Sequence, residues 1–506
     1  MSGLIAFRTT GEDEGEIRPA DGRRDLQNDA RMPRLCLIIF LALVLPLGII
    51  LAFVTPLGGV ADETAHALRA ESLSHGEIIG YRAIIQLPDG SPRRAAGVSA
   101  DLGIVAAAMV QGPGEWVTPA RLHEAHRARW QGHLSFAEIT PLALYMPIFY
   151  APAAIAMAAM RAIHAGPAEA YLSGRLINLF VFALIGMLAL SIARRGHAVL
   201  LCTLALPMEI SLAASLNQDG LLIATAVLAV ALLTREEEQV LALFGRRRPS
   251  PDWIAAAGLL GVIALAKIPY VGLLLMLVFP IRTRRDCGLR LVLAALCAVP
   301  ALGWAGYAMS QIATPWPPLP LYRAGPFWPG PAVRFFTSPD AAAQMLVLAA
   351  DPLRVLTLTL RSLWLQKGIV LEFIGVLGFV SLRLPAPLYA LWALALLSAL
   401  LADRQQTRPS GFGRRDQFVL FTMLGLITVA IYMSQYLTWT KVGFPIVQGP
   451  TGRYFLPLLP ATAFLVPRAR LLDAAPPSLL LLPVAAAAMA SLIVTPLCVL
   501  DGFYAP

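Results

Sequence analysis

Residues Leu35–Val54 read LCLIIFLALVLPLGIILAFV, an apolar run that contains no charged side chain. An α-helix rises about 1.5 Å per residue, so this run can cross the hydrocarbon core of a bilayer, which is roughly 30 Å thick. A comparable run, Leu479–Val499, lies near the other end of the chain. The two runs predict an integral membrane protein.

The composition of the whole chain supports the same class. Of 506 residues, 57% are hydrophobic and only 14% are charged, whereas soluble domains carry about 25% charged residues. These charges are too few to cover a water-facing surface, and apolar runs recur along the chain. A soluble enzyme and a single-span anchored domain are therefore both excluded.

Basic residues collect in short loops between the apolar runs, which is a topology signal in membrane proteins. The net charge is +9, but no basic groove with interleaved aromatic residues is evident, so nucleic acid is not an expected partner. The cluster Arg31–Arg34 predicts a cytoplasmic N-terminus. When every basic cluster between spans is placed on one side, the chain is predicted to be an all-α polytopic membrane protein with about eleven transmembrane helices.

The predicted domain organisation is a disordered cytoplasmic tail at 1–34, a single polytopic membrane domain at 35–499 and a short outer tail at 500–506. Two long outer loops, 55–170 and 311–387, are expected to carry interfacial helices. The apolar stretch Leu142–Ile163 is assigned to the first of these loops, because Pro141 before it and Pro147 and Pro152 within it disfavour a regular span.

The apolar stretch Trp253–Pro280 lies between two basic clusters that should both be cytoplasmic, Arg246–Arg248 and Arg282–Arg285. Two interpretations remain open. The stretch either crosses twice as two short helices that turn at Lys267-Ile268-Pro269, or forms one long tilted helix. Proline ends helices and lysine is costly in hydrocarbon, which favours the hairpin.

Several polar residues fall near the outer ends of the predicted spans. Acidic and basic groups at membrane depth are energetically costly, so they indicate a functional site by default. The candidate site residues are Asp62, Glu63, His66, Arg69, Arg175, Asn217, Asp219, Lys267 and Arg453.

This set of residues suits the transfer of a sugar from a lipid-linked phosphate. Asp62 or Glu63 could take a proton from the acceptor or orient it, while Lys267 and Arg453 could stabilise the charge of the leaving phosphate. The same chemistry works with or without a divalent cation such as Mg²⁺ or Mn²⁺, for which Asp62, Glu63 and Asp219 are the candidate ligands.

Each candidate also has a structural interpretation. Asp62-Glu63 and Asp219 could cap helix N-termini. Lys267 could extend from a helix end to the membrane interface, and Arg453 could form an ion pair with a carboxylate. His66 is more consistent with an orienting or structural role than with metal binding, since no second histidine has metal-ligand spacing. Arg175 is more consistent with a structural role.

Short motifs in chain order carry a family resemblance. The motifs are Phe53–Pro56, Val60–His66 with Arg69, Gly174–Asn178, Ala214–Asp219, Ala266–Tyr270, Phe373–Gly378 and Gly452–Pro457. In them the chain resembles a bacterial multi-pass membrane family, domain of unknown function 2142, which is itself similar in layout to C-type glycosyltransferases. The chain departs from the family pattern at Thr64, where a proline is usual, and at Leu57–Gly59.

The resemblance implies a catalytic carboxylate in the first outer loop, which carries over onto Asp62 and Glu63. It also implies an enzyme that moves a sugar from a polyprenyl-phosphate donor to a cell-envelope glycan, lipid or protein, at the outer face of the bacterial inner membrane. Two alternatives remain open: a carrier or flippase for a lipid-linked precursor, and a non-catalytic subunit of envelope assembly.

Overall fold

The structure is a computed structural model that describes residues 31–504 apart from 88–89, 111, 113, 141, 243–249, 280–283, 315–320, 323–332, 335–339, 406–413 and 465–476. Most of the predicted tail at 1–34 therefore lies outside the described residues, as does the basic cluster Arg246–Arg248. The last helix continues to Tyr504, beyond the predicted boundary at 499.

The chain is a helical membrane protein, but the expected number of eleven spans is wrong. Six helices in the described residues are long and apolar enough to cross a bilayer, or seven if one bent pair is counted as a single span. We name these six α1 (Arg31–Val54), α6 (Pro167–Ile192), α9 (Gln218–Ala242, apolar to Arg235), α11 (Arg284–Gln311), α16 (Arg414–Thr438) and α18 (Leu482–Tyr504).

Other apolar runs form shorter or broken helices. The apolar run from 198 to 216 is long enough for one span, yet it forms α7 (His197–Ala205) and α8 (Pro207–Ala213), because Pro207 cannot continue a helix. In the predicted second outer loop, 311–387, two apolar helices meet at a 106° bend, and neither alone has the length of a span. These are α12 (Ala341–Ala350) and α13 (Arg354–Leu365).

Helix α1 shows how the sequence determines which face of a span packs against the rest of the protein. Cys36, Phe40, Val44, Leu47 and Leu51 recur at helical spacing and are buried against the rest of the chain. The large side chains of the opposite face are exposed, as expected for a surface that contacts lipid. A π-helical segment, Phe40–Val44, precedes a proline that lacks an amide hydrogen for the helix ladder.

The predicted first outer loop, 55–170, contains a β-sheet, so the all-α prediction is wrong there. Strands β1 (Tyr81–Gln86), β2 (Pro92–Ala100) and β3 (Ser135–Glu138) form an antiparallel sheet in that order. Gly97 in β2 pairs with both neighbouring strands, and a Cβ atom there would lie 2.1 Å from the carbonyl oxygen of Ala137. Small residues in β2 gave no hydrophobic alternation by which to recognise it.

The stretch after residue 250 is a hairpin. Helix α10 (Pro251–Ala266) and the 3₁₀ helix Ile268–Val278 are separated at Lys267. The indole Nε1 of Trp253, at the start of α10, donates a 2.9 Å hydrogen bond to the carbonyl of Leu277, at the end of the 3₁₀ helix. The two segments therefore run back along each other, and the alternative of one long helix is wrong.

The remaining described elements complete the chain. The helices are α2 (Glu63–Ser74), α3 (Gly103–Ala106), α4 (Pro119–Arg127), α5 (Ala151–Ala162), α14 (Ile369–Gly375), α15 (Ala386–Gln405) and α17 (Pro477–Leu480). The 3₁₀ segments are Leu142–Leu144, Pro147–Tyr150 and Gly452–Phe464. The two-stranded sheets pair β4 (Leu321–Tyr322) with β5 (Val333–Arg334), and β6 (Val376–Leu377) with β7 (Leu382–Arg383).

Helix α9 lies at the centre of the fold. Its membrane-spanning window is 83% buried, the largest share among the six spans of the described residues. It packs against α6, α10 and the 3₁₀ helix Gly452–Phe464. The N-terminus of α9 is therefore a point where distant parts of the chain converge.

Candidate functional site

Four charged side chains from four separate segments meet at the N-terminus of α9. We call Asp62, Asp219, Lys267 and Arg453 the polar cluster. The Nη2 atom of Arg453 donates to Asp62 Oδ2, and the Nε atom lies 3.8 Å from Asp219 Oδ2. Lys267 Nζ donates to Asp219 Oδ1 at 2.5 Å. Acidic and basic side chains therefore alternate through the polar cluster, and their formal charges sum to zero.

Asp62 has an unusual backbone and an accessible side chain. Its φ of 63° is left-handed, a conformation that non-glycine residues adopt rarely and often at functional sites. It stands at the N-cap position of α2, but its side chain makes no capping hydrogen bond. The carboxylate instead reaches Arg453 and remains 53% exposed, while the other three members of the polar cluster are buried.

The surroundings keep the Asp62 carboxyl ionised. Loss of water around the side chain raises the pKa of Asp62, but the positive charge of Arg453 outweighs this effect and leaves the pKa below its ordinary value. His66, one turn further along α2, is buried, and burial lowers its pKa to about 3. Neutral His66 places its Nδ1 atom 2.6 Å from the hydroxyl of Tyr150, which orients the ring.

The start of α9 is capped by Asn217, not by Asp219. The Oδ1 atom of Asn217 accepts a 2.9 Å hydrogen bond from the backbone N–H of Asp219, and Asn217 Nδ2 donates to the Ala61 carbonyl at 3.4 Å. Asn217 therefore links α9 to the turn that carries Asp62. Because the cap comes from another residue, the Asp219 carboxylate can accept from Lys267.

Lys267 occupies the turn of the hairpin and points into the protein. Its side chain is 9% exposed, so it does not extend to water as a snorkelling lysine would. The Nζ atom lies 5.3 Å from the ring centre of Tyr145 and 5.0 Å from that of Tyr454. Two aromatic faces and one carboxylate therefore hold the ammonium group in place.

Arg453 is positioned by the glycine before it. The backbone N–H of Gly452 donates to Glu372 Oε2 at 2.8 Å, and a Cβ atom on Gly452 would lie 2.2 Å from the backbone nitrogen of Phe373. Only glycine permits this close approach. The contact brings the 3₁₀ helix against α14 and directs Arg453 towards Asp62.

Glu63 lies next to Asp62 in the chain but forms a separate ion pair with Arg175. It is fully buried, and Arg175 donates to both of its carboxylate oxygens, from Nε at 2.8 Å and from Nη2 at 2.6 Å. Arg175 also donates to the carbonyls of Ala52, Thr55 and Pro56 at the end of α1. This arrangement favours the structural interpretation of Arg175 and leaves Glu63 without access to a substrate.

Arg69 also acts within the fold. It is buried and donates to the carbonyls of Glu77, Ile78 and Tyr145, with the Ile78 contact at 2.6 Å. These contacts hold the chain that leaves α2 against the segment before α5. Arg69 therefore stabilises the segment between α2 and α5, and among the described residues its hydrogen bonds do not reach the polar cluster.

The acidic residues do not offer a ready metal site. Among the described residues, no three His, Cys, Asp or Glu side chains are grouped to hold a metal ion. Arg453 stands between Asp62 and Asp219, and Glu63 is occupied by Arg175. A divalent cation would need to displace positive side chains from their partners, so the donor set as arranged does not fit one.

A cleft beside Arg453 was not predicted from the sequence. Its open volume is about 10 Å³, close to that needed by one water molecule, and it is lined by Glu372, Thr451 and Arg453 together with apolar side chains of α8 and of the segment after α14. Glu372 is 4% exposed and stands alone in the apolar stretch IVLEFIG. A lone acid inside an apolar helix was the signal that could have identified it.

Comparison with known proteins identifies the family. Residues 45–462 match the family described as predicted membrane protein, domain of unknown function 2142. No curated protein and no solved structure matches the chain. The match covers most of the chain and includes all four members of the polar cluster, so the resemblance of the sequence motifs is confirmed. The chain therefore belongs to the family of predicted membrane proteins known as domain of unknown function 2142.

Proposed function

We propose that this protein is a C-type-like glycosyltransferase of the bacterial inner membrane, with its N-terminus in the cytoplasm. It would move a sugar from a polyprenyl-phosphate donor to a cell-envelope glycan, lipid or protein at the outer face. The observation that carries this proposal is the polar cluster, in which the half-exposed carboxylate of Asp62 contacts buried Arg453, and Arg453 lies beside the buried pair of Asp219 and Lys267. Charges at this depth of a membrane protein indicate function by default.

The two cations are suited to a lipid-linked phosphate. Arg453 presents a planar group that can contact two phosphate oxygens, and Lys267 supplies a compact point charge. Asp219 pairs with Lys267 at 2.5 Å and keeps it in position. The phosphate would compete with Asp62 for Arg453, because both anions use the same guanidinium group.

This competition links donor binding to activation of the base. Arg453 lowers the pKa of Asp62 in the free protein, so transfer of Arg453 to the phosphate would raise that pKa and make Asp62 a stronger base. The acceptor hydroxyl would then attack the sugar carbon, with its proton passing to Asp62. The bond between the sugar and the phosphate oxygen breaks, and Lys267 and Arg453 stabilise the polyprenyl phosphate that leaves.

The test is replacement of Asp62→Asn in a strain that lacks the native gene, followed by mass analysis of its envelope glycans. We expect the variant to lower transfer by about 10²–10⁴-fold, the usual contribution of a general base, while binding of decaprenyl phosphate by the purified protein is kept. The control is Glu124→Gln, which alters an exposed carboxylate that pairs only with Arg121 among the described residues.

The outcomes separate the three functions. Normal glycans with Asp62→Asn would remove Asp62 as the base. If Lys267→Met and Arg453→Met still abolished the glycan, a carrier that needs cations but no base would replace the enzyme. If the purified protein bound no decaprenyl phosphate, a subunit without a substrate site would replace both.

A further inference from the structure

Helix α13 lies against the end of a membrane-spanning helix. Its buried Leu358 packs in one apolar cluster with Tyr432 and Tyr436, which belong to the last two turns of α16. Helix α13 is also bent by 106° from α12, so the two do not form one straight span. Because the end of a span lies near the boundary between hydrocarbon and water, α13 lies at the depth where lipid headgroups begin.

One face of α13 is fixed to the protein by polar contacts. Ser362 Oγ accepts the backbone N–H of Val447 at 2.9 Å, and Gln366 Nε2, just after the helix, donates to the Val447 carbonyl at 2.7 Å. Thr359 is buried on the same face. Three polar side chains of this segment therefore point towards the protein, and other residues form the face that points away.

The face that points away is largely apolar. Its large side chains recur at helical spacing and are between 37% and 75% exposed: Leu353 at the N-cap, then Leu356, Leu360, Leu363 and Trp364. An exposed apolar surface of this kind indicates a contact with a membrane or a protein. Lys367 Nζ lies 4.8 Å from the ring centre of Trp364. Exposed tryptophan and lysine are typical of the membrane interface, where the indole lies at headgroup level and the lysine reaches water.

Two arginines flank this apolar face. Arg354 and Arg361 are seven residues apart, which is about two helical turns, so they lie on the same side of α13. Neither forms an ion pair with an acidic side chain in the described part of the chain, and the sequence has no acidic residue from Pro352 to Leu371. An apolar helix face bordered by such cations is typical of helices that lie on membranes containing anionic lipids.

We propose that α13 is an interfacial helix that binds anionic phospholipids of the surrounding bilayer. The apolar face inserts among the acyl chains, Arg354 and Arg361 contact the headgroup phosphates, and Trp364 lies at headgroup level. Arginine can donate to two phosphate oxygens at once. A zwitterionic headgroup carries its own cation, which competes with the arginines for the phosphate, so lipids with a net negative charge are preferred. This lipid contact does not depend on the sugar transfer that we propose for the polar cluster.

A second copy of the chain is another possible cover for this face, and the arginines argue against it. Two α13 helices packed through their apolar faces would bring four arginines together without an acidic residue of either helix to pair with them. Like charges repel, and most strongly where water is excluded. Anionic lipid supplies the opposite charge and the apolar chains together.

The experiment measures which lipid contacts Trp364. The full-length protein is reconstituted in nanodiscs of phosphatidylcholine that contain a rising fraction of brominated phosphatidylglycerol or, in a second series, of brominated phosphatidylcholine. Bromine quenches tryptophan fluorescence only at short range. Each protein is compared with its Trp364→Phe counterpart, so the difference isolates Trp364. We expect half-quenching at a fraction of brominated phosphatidylglycerol at least about 5-fold lower than that of brominated phosphatidylcholine, the usual effect of one basic side chain at a charged membrane surface.

Arg354→Gln together with Arg361→Gln should reduce this preference to about 2-fold or less and leave quenching by brominated phosphatidylcholine unchanged. The matched control is Arg94→Gln together with Arg129→Gln, which removes two exposed arginines from the predicted first outer loop and should keep the preference. Salt at about 1 M should weaken the preference of the wild-type protein, because it shortens the screening length to about 3 Å.

Three results would overturn the binding of anionic lipid by α13. Quenching by neither lipid would mean that water or another protein covers this face. Equal quenching by the two lipids would leave α13 as a lipid-facing helix without selectivity for charge. A preference that persisted in the double variant of Arg354 and Arg361 would assign the anionic lipid to other residues.

Discussion

Replacement of Glu63→Gln should strongly destabilise the protein, although Glu63 adjoins the proposed base. Four donors converge on this carboxylate. Arg175 Nε and the Leu216 N–H donate to Oε1 at 2.8 and 3.1 Å, and Arg175 Nη2 and the Val60 N–H donate to Oε2 at 2.6 and 3.3 Å. One buried side chain thereby joins the turn after α1, the first half of α6 and the start of α9.

The magnitude follows from these contacts. An amide in place of the carboxylate has one oxygen and one NH₂ group, and either orientation sets the NH₂ group against two donors. The charge of Arg175 also loses its partner in a fully buried site. Removing one member of a buried ion pair costs about 3–5 kcal/mol, and we expect a loss in that range.

Thermal unfolding in detergent would measure this loss, with a thiol-reactive dye reporting exposure of the buried cysteines Cys36 and Cys202. The matched control is Glu138→Gln. Glu138 also pairs through two hydrogen bonds with an arginine, Arg93, but the two side chains are 26% and 18% exposed. That pair should contribute about 1 kcal/mol or less. Equal melting temperatures for the two variants would refute the structural role of Glu63.

Two further predictions concern the position and the charge of the site. Gly452→Ala should abolish complementation of the envelope glycan and lower the melting temperature, because its Cβ atom would lie 2.2 Å from the backbone nitrogen of Phe373. The control is Gly306→Ala, which adds a Cβ atom in open space. Equal behaviour of the two variants would contradict the packing argument. The pKa of Asp62 is held below its ordinary value, because the charge of Arg453 outweighs the effect of burial. The stability that this ion pair contributes is therefore fully present above the pKa of an aspartate in the unfolded chain, about 3.9, and is lost as the pH falls through the lowered pKa of the folded protein. The difference in melting temperature between wild type and Asp62→Asn should therefore shrink on acidification below about pH 4, and a difference that stayed constant with pH would contradict the ion pair.

The sequence determined the class of protein and several local features. Apolar runs such as Leu35–Val54 predict membrane helices because twenty such residues match the thickness of a bilayer. The hairpin turn at Lys267 could be predicted because Pro269 cannot continue a helix and a lysine is costly in hydrocarbon. These conclusions depend only on neighbouring residues and on the solvent that surrounds them.

Contacts between distant residues were decided by the tertiary structure alone. Asp62 and Glu63 are adjacent acids in the sequence, yet one is half-exposed beside Arg453 and the other is buried on Arg175. The number of spans and the sheet of β1, β2 and β3 also differed from expectation, because apolarity measures a residue's preference for burial and not whether lipid or protein covers it. A charged residue likewise does not reveal its partner until folding brings together segments that are hundreds of residues apart, as it does for Asp62 and Arg453.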